Sequence, residues 1–395
     1  MILVIKWLFW VSLFLVFYSY IGYGILLYGI VKIKRLFRRK AEEGSVEPYE
    51  PMVSLVIAAY NEEAFIRNKI ANTLELDYPA DKLTILLVTD GSSDASPGIA
   101  AGYDRILHLH EPERKGKSAA MNRAMRFVKT PIVIFCDANT LLNRECVREM
   151  VKYYLDPAVG GVAGEKKVLS GKKEGAVAGE GIYWKYESAL KRMDAELFTV
   201  VGGAGELFSL RTELYEEMSP DILLDDFVLS MKVCQKGYRV QYEPKAFAME
   251  TASASMQEEQ KRKIRISAGA FQSIILLRGL LNPFRYPLVA FQFISHRVLR
   301  WTLCPVCLVI LLLANAWMVV QGAGTVYLLF FIGQLVFYGL AVMGWVLARR
   351  GSRWKFLFVP YYLLFMNVSV FLGFARFLRG SQTVLWEKAR RMEDA

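Results

Sequence analysis

The sequence predicts an α/β domain built on a doubly wound sheet and held between N-terminal and C-terminal apolar segments long enough to be transmembrane helices. Three observations carry this prediction. Short β-branched apolar runs alternate with helical patterns between residues 53 and 136, two of those runs lead into an aspartate (Asp90, Asp137), and uncharged stretches from Trp7 to Val31 and from Trp301 to Ala348 flank the whole. Alternating strands and helices imply parallel βαβ units, and ~20 apolar residues suffice to cross a hydrocarbon core of ~30 Å.

The first apolar segment leads directly into Lys32, Lys34, Arg35, Arg38, Arg39 and Lys40. This positive-inside pattern puts the N-terminus outside and the following domain in the cytoplasm, at the plasma (inner) membrane. A cleaved signal peptide is the competing reading, but the run is too long and Lys6 and Lys32 bracket it like a span. Residues 41–51, polar with two prolines, fit a linker. Strands are expected at Val53–Ala59, Leu83–Val88, Ile106–Leu109 and, opened by Pro131, Ile132–Cys136. Asn61 can cap a helix running to about Leu76, Thr89–Asp94 is a turn before another helix, and Lys117–Val128 reads as helix. Further on, Val162–Leu169 looks like a strand, Gly179–Asp194 and Phe227–Lys236 like helices, the second stopped by Gly237. Strand signals return at Tyr238–Tyr242 and Ala246–Met249.

From Gln257 to Arg300 basic and apolar residues interleave, the mix of helices lying in a membrane interface. The uncharged stretch that follows has room for two spans with a turn at Gln321–Gly324. Phe356–Ala375 has basic residues at both ends, so it either crosses or is re-entrant. The expected organisation is an anchor with a basic flank (1–40), a cytoplasmic domain (50–256), interfacial helices (257–300), a multi-pass C-terminal membrane region (301–379) and a tail (380–395).

Lysine and arginine number 49 against 38 acidic residues, a net charge of +11. The excess sits beside the apolar segments, where anionic lipid accounts for it and no nucleic acid is needed. Free thiols are expected at Cys136, Cys146 and Cys234. Cys304-Pro-Val-Cys307 has redox or zinc spacing but lies in an apolar span without a second pair, so packing explains it.

Ligands of a doubly wound sheet bind beyond the carboxyl ends of its strands. Asp90 and Asp137 are placed there. Either alone could be a helix cap, while together they suggest a polar site for a nucleotide and a cation. Neither a dinucleotide-binding nor a P-loop glycine motif is present. Arg114-Lys115-Gly116-Lys117, before a helix N-terminus, suits phosphate or is simply a solvated loop. In Asp225-Asp226 adjacent carboxylates repel, so one can keep a raised pKa and serve as a base; a helix cap is the alternative.

The ordered series Val53-Ser54-Leu55-Val56-Ile57-Ala58-Ala59-Tyr60-Asn61-Glu62-Glu63, Asp90-Gly91-Ser92-Ser93-Asp94, Lys115-Gly116-Lys117, Asp137-Ala138-Asn139, Gly202-Gly203-Ala204-Gly205, Leu224-Asp225-Asp226 and Arg262-Lys263-Ile264-Arg265 resembles glycosyltransferase family 2. It is similar to the membrane-integrated branch containing cellulose, chitin, hyaluronan and poly-N-acetylglucosamine synthases. The resemblance implies a nucleotide-sugar-binding sheet of GT-A type. It also implies inverting transfer of a hexose from a nucleotide-sugar, a UDP-sugar, to a polysaccharide or lipid-linked glycan.

Carried over, the resemblance puts Ala59, Tyr60, Asn61 and Glu62 beside the nucleobase, Asp90 on base or ribose, and Lys117 and Arg265 at the diphosphate. Asp137 would contact the nucleotide, and with Asn139 it would hold a divalent cation, Mg²⁺ or Mn²⁺. Asp226 takes the place of the catalytic base, and Gly203, Ala204, Gly205, Glu206 and Asp225 border the acceptor. Two departures stand out. Asn139 is a neutral ligand where the family has a second carboxylate, which weakens binding of a hard cation. Polymerising members carry QxxRW where this chain has Arg262-Lys263-Ile264-Arg265-Ile266, so single transfers to a lipid-linked acceptor are as well supported as polymerisation. The alternatives are a non-processive transferase acting directly on a membrane lipid, or a non-catalytic nucleotide-sugar-binding regulator. A transporter is disfavoured, because the spans lack buried charges.

Overall fold

A computed structural model describes residues 1–37, 49–169, 174–251, 255–349 and 354–380. Residues 41–48 of the expected 41–51 linker, Arg38, Arg39, Lys40 and the tail from 381 lie outside the described residues.

The chain opens with helices α1 (Ile2–Phe17) and α2 (Tyr23–Phe37), continuous through one π-helical turn at Tyr18–Gly22. The first half of the domain runs β1 (Val53–Ala59), α3 (Glu63–Leu74), β2 (Leu83–Asp90), α4 (Ser96–Ala101), β3 (Ile106–Glu111), α5 (Lys117–Met125) and β4 (Ile132–Asp137). These four strands are mutually parallel, in the order β3-β2-β1-β4. β1 is buried along its whole length, as a strand covered by helices on both faces must be.

The second half adds β5 (Leu141–Leu142), α6 (Cys146–Val151), β6 (Val159–Leu169), α7 (Glu174–Leu197), β7 (Leu207–Arg211), α8 (Asp225–Gln235) and β8 (Arg239–Thr251). β7 runs antiparallel to β4 and extends the sheet to β6, β8 and β5. The sheet is therefore mixed: β7 is antiparallel to both its neighbours and β5 to β8, while β6 and β8 run parallel to each other. One apolar cluster fills each face, with Val56, Leu86 and Phe135 on one side and Leu55, Ile57 and Ile134 on the other.

Then come α9 (Met256–Leu276), α10 (Pro287–Phe293), a π turn at Ile294–Val298, α11 (Leu299–Trp301), α12 (Leu303–Val320), α13 (Thr325–Arg349) and α14 (Lys355–Leu378). Four segments among the described residues are long and apolar enough to cross a membrane: Ile2–Phe37, Leu303–Val320, Thr325–Arg349 and Phe356–Leu378. α1 packs on α12 and α13 through Phe9, Leu311, Met318 and Tyr327. α2 instead packs on α7 through Leu27, Val31 and Leu190, and Arg35 pairs with Glu196 at 2.6 Å. One helix thus joins the apolar layer to the sheet domain.

α14 lies side by side with α9 and runs the same way. Met256 packs among Phe358, Tyr361 and Tyr362 at one end, and the Phe271 and Phe374 rings meet at 4.8 Å towards the other. Gly373 lets the two helices touch, since a Cβ there would fall 2.4 Å from the Ser267 side chain.

Candidate active site

The register of β1 with its neighbours sets the site. Thr89 lies opposite Ala59 and Asp137 opposite Ala58, so Asp90 and Asp137 flank the carboxyl end of β1. Asp90 is buried and engaged. Its Oδ2 accepts the backbone N–H groups of Lys115 (2.9 Å) and Gly116 (2.7 Å), and its Oδ1 accepts Arg123 Nη2 at 3.1 Å. Asp90 therefore fixes the turn that delivers Arg114 and Lys117. Gly91 makes this approach feasible: its φ is +63°, and a Cβ would lie 2.5 Å from the Arg114 backbone nitrogen.

A narrow crevice opens here, lined by Ala59, Tyr60, Asp90, Arg114, Gly116 and Lys117. The Arg114 guanidinium sits 3.5 Å from the Tyr60 ring centroid. Asn61 and Glu62 do not line it. Asn61 adopts φ +52° and ties itself to the 91–96 loop, donating its N–H to Ser92 Oγ (3.1 Å) and accepting Ser93 N–H (2.8 Å). It does not cap α3, whose preceding residue is Glu62. Glu62 is buried and its N–H donates to Ser96 Oγ at 3.0 Å.

Lys117 also lines a second cavity of about 870 Å³. Its Nζ lies 2.7 Å from Asp137 Oδ1 and 3.5 Å from Asp225 Oδ2. Burial works against this ammonium, but Asp137, Asp225 and Asp226 together hold its pKa above the usual lysine value. Asn139, Gly203, Ala204, Gly205, Glu206, Asp226 and Arg265 line the same cavity. The distant acidic residues thus surround one lysine: Asp137, Asp225 and Asp226 on the large cavity, Asp90 on the crevice beside it.

Asp226 is pushed up to about 7, first by burial and then by the Asp225 carboxylate. A Cβ added at Gly205 would sit 3.3 Å from Asp226 Oδ2 and 3.7 Å from Lys117 Nζ, so a bare backbone keeps the space beside this carboxyl open. Gly202 serves the same end, with φ +93° and the Phe227 ring 2.3 Å from where its Cβ would be. Burial lowers the pKa of Arg265, with Asp225, Asp137 and Asp226 acting in the opposite sense.

Sequence reading missed several lining residues. Lys166 Nζ sits 2.5 Å from Glu206 Oε1 and also pairs with Glu250, while Arg262 lies 3.5 Å from Glu206. Burial opposes ionisation of Glu206, but Lys166 and Arg262 hold it well below the usual carboxylate range. Trp184, Arg297, Trp301 and Arg376 also reach the cavity.

For a divalent cation the donor set is sparse. Among the described residues no group of three or more His, Cys, Asp or Glu side chains is arranged to hold one. Asn139 Oδ1 is nevertheless buried without a hydrogen-bond partner. A buried acceptor left unpaired costs ~1–3 kcal/mol, and beside Asp137 it fits a hard cation that draws further oxygens from a diphosphate.

Residues 54–219 match the family model Glycosyl transferase family 2. Among curated proteins it is similar to the poly-beta-1,6-N-acetyl-D-glucosamine synthase of Staphylococcus aureus, 24% identical over 262 residues, 63% of this chain and 62% of that one. It is also similar to the beta-monoglucosyldiacylglycerol synthase of Trichormus variabilis, 28% identical over 193 residues, 47% of this chain and 39% of that one. The alignment thus spans less than two thirds of either relative's length. A solved mannosyltransferase from Pyrobaculum calidifontis, in complex with GDP-Man and Mn²⁺, superposes with a TM-score of 0.69 at 22% identity, covering 95% of this chain and all of that one. The fold is of GT-A type, and this chain has apolar helices at both ends of the sheet domain.

Proposed function

We propose that the chain is a membrane-bound inverting glycosyltransferase that moves a hexose from a nucleotide-sugar, a UDP-sugar, to a polysaccharide or lipid-linked glycan at the cytoplasmic face. The observation that carries this is Asp226. It is a half-buried carboxyl lifted to about 7, beside the Lys117 ammonium, in a cavity that shares Lys117 with the narrow crevice at the end of β1. A base poised near the working pH is worth ~10²- to 10⁴-fold in rate.

The residues divide the work. Ala59, Tyr60 and Arg114 hold the nucleoside in the crevice, and Asp90 positions the turn that brings Lys117 to the diphosphate. Arg265 reaches the diphosphate from α9. The acceptor hydroxyl approaches along Gly203–Glu206 and gives its proton to an Asp226 oxygen. Its oxygen then bonds the anomeric carbon from the face opposite the diphosphate, whose bond breaks with both electrons leaving on the phosphate oxygen. Lys117 and Arg265 meet that growing negative charge. Asp137 and Asn139 would hold a Mg²⁺ or Mn²⁺ ion, which supplies Lewis-acid stabilisation of the leaving diphosphate. Ile266, where polymerising members have an aromatic residue, favours one or a few transfers over long polymerisation.

The test is nucleotide release by the full chain in lipid, screened over UDP- and GDP-sugars with Mg²⁺ or Mn²⁺ and lipid extract. One donor should turn over, and Asp226→Asn should lower kcat by at least ~10²-fold while donor binding persists. Unchanged turnover in that variant removes the base assignment. Donor binding without turnover of any donor makes the chain a regulator instead.

A further inference from the structure

Away from the reacting groups, a buried polar cluster joins three elements: the first apolar segment at its π turn, α7, and the π turn at Ile294–Val298. Tyr23, Asp194 and His296 are fully buried in it, and Glu187 nearly so. Helical spacing brings them together. Gln292, His296 and Arg300 follow one another at intervals of four residues, as do Ser19 and Tyr23, and Glu187 and Asp194 lie seven apart on one face of α7. His296 is at the centre. Its Nδ1 lies 2.6 Å from Asp194 Oδ2 and its Nε2 3.1 Å from Glu187 Oε1. Asp194 Oδ1 also accepts the Tyr23 hydroxyl and Gln292 Nε2, while Glu187 meets Arg297 at 2.7 Å and Arg300 at 3.2 Å.

Burial opposes ionisation of Glu187, but Arg297, His296 and Arg300 hold it well below the usual carboxylate range. An ionised carboxylate only accepts hydrogen bonds. A ring that bonds one at each nitrogen therefore carries a proton on both, and a neutral ring would leave a buried lone pair facing a carboxylate oxygen. The cluster reaches the membrane segment on one side and the cavity on the other. Arg300 Nε donates to Ser19 O at 2.9 Å, and the Tyr186 hydroxyl to Tyr20 O at 2.7 Å. Glu187, Arg297 and Trp301 line the large cavity. The Arg297 guanidinium lies 6.0 Å from the Trp301 ring centroid, and Trp301 packs at 5.2 Å on Phe227, the residue after Asp226.

We propose that His296, protonated on both ring nitrogens, is a positioning residue of the large cavity: it locks Glu187 against Arg297 and so sets the wall at Arg297 and Trp301, while the first apolar segment holds the ring through Tyr23 and Asp194. That segment is then part of the reaction unit as well as an anchor. Breaking a buried, hydrogen-bonded charge cluster at one member frees the others to move, and here the nearest of them face the cavity. The consequence for transfer rests on the transferase reading above; the doubly protonated ring and its link to Trp301 do not.

Two magnetic-resonance signals of the full chain in nanodiscs report on this without turnover. The chain has three histidines, so with nitrogen-labelled histidine the signals lost in His296→Gln are those of His296. Near neutral pH both of its ring nitrogens should show the protonated shift, and a neutral ring overturns the proposal. With fluorotryptophan, the signal lost in Trp301→Phe is that of Trp301. It should move in Tyr23→Phe and stay in place in Tyr28→Phe, an exposed residue of the same segment. A Trp301 signal indifferent to Tyr23→Phe overturns the link. With nucleotide release assayed alongside, His296→Gln should lower kcat about tenfold and leave the donor Kd within about twofold, because other residues line the donor crevice. Donor binding lost in step with kcat would make His296 a residue of the fold only and overturn its positioning role. If no donor turns over while both signals behave as stated, the transferase reading falls and the positioning of the cavity wall stands.

Discussion

Replacing Asp225 by Asn probes the electrostatics of the site with little change in shape. Asp225 is the largest influence after burial in lifting Asp226 from 3.8 to about 7. Two carboxylates ~6 Å apart at an effective dielectric of ~20 repel by roughly 2–3 kcal/mol. Lys117, 3.5 Å from Asp225, cancels part of this, leaving ~1.4 kcal/mol, or about one pKa unit. The cost to the fold is small: Asp225 opens α8, where a lost carboxylate forfeits ~0.3–1 kcal/mol of helix-dipole interaction. A base works only as the carboxylate, so kcat/KM of the unaltered chain should rise with pH and level off above about 7. In Asp225→Asn the midpoint should fall to about 6, raising the carboxylate fraction at pH 6 about fivefold. The assay is initial-rate nucleotide release from pH 5 to 9, with kcat/KM fitted at each pH so that altered acceptor affinity does not disguise the midpoint. A midpoint that stays put or moves up would refute the placement of Asp226 as a base raised by its neighbour. Stability has the opposite sign: the folded chain holds a proton that the unfolded chain releases above 3.8, so this group destabilises the fold as pH climbs from there towards 7.

Asn139→Asp should lower the Mn²⁺ concentration for half-maximal activity about tenfold, because a charged oxygen replaces a neutral one; Mn²⁺ binding followed by electron paramagnetic resonance gives the same comparison without turnover. Lys166→Met removes the cation shared by Glu206 and Glu250 and leaves Arg262 beside Glu206, which should cost up to ~3 kcal/mol at neutral pH, read as a drop in Tm. In the unaltered chain Glu206 contributes stability that is complete above 4.5, its ordinary value, and is lost as pH falls below it, so acid should narrow the gap in Tm between the two. Gly202→Ala forces a side chain into a left-handed backbone and against the Phe227 ring, so Asp226 should shift and kcat should fall at least ~10-fold.

The parallel half of the sheet was legible because each strand is a continuous apolar run with its helix beside it in sequence. β7 was not, since Leu207–Arg211 pairs with strands more than forty residues upstream and has no local signature. β8 reads as two short strands because Pro244 interrupts it. The structure keeps one strand and absorbs the break as a register shift opposite Gly164 and Glu165, which suits a residue without an N–H. At the site, Asp90, Asp137 and Lys117 stand at strand and helix ends, where sequence can find them. Lys166 meets partners 40 and 84 residues away, and no spacing rule reaches that far. Arg376 and Trp301 belong to apolar stretches by composition. Only the packing of α14 along α9, and of Trp301 on Phe227 at 5.2 Å, turns them towards the cavity.

Lys117 is a shared counter-ion. Without donor, its one ammonium is divided among Asp137, Asp225 and Asp226, and it holds down the proton affinity of Asp226. On the proposed reading a nucleotide diphosphate would compete for that ammonium, and drawing Lys117 away would raise the proton affinity of Asp226, tying the strength of the base to the presence of the donor.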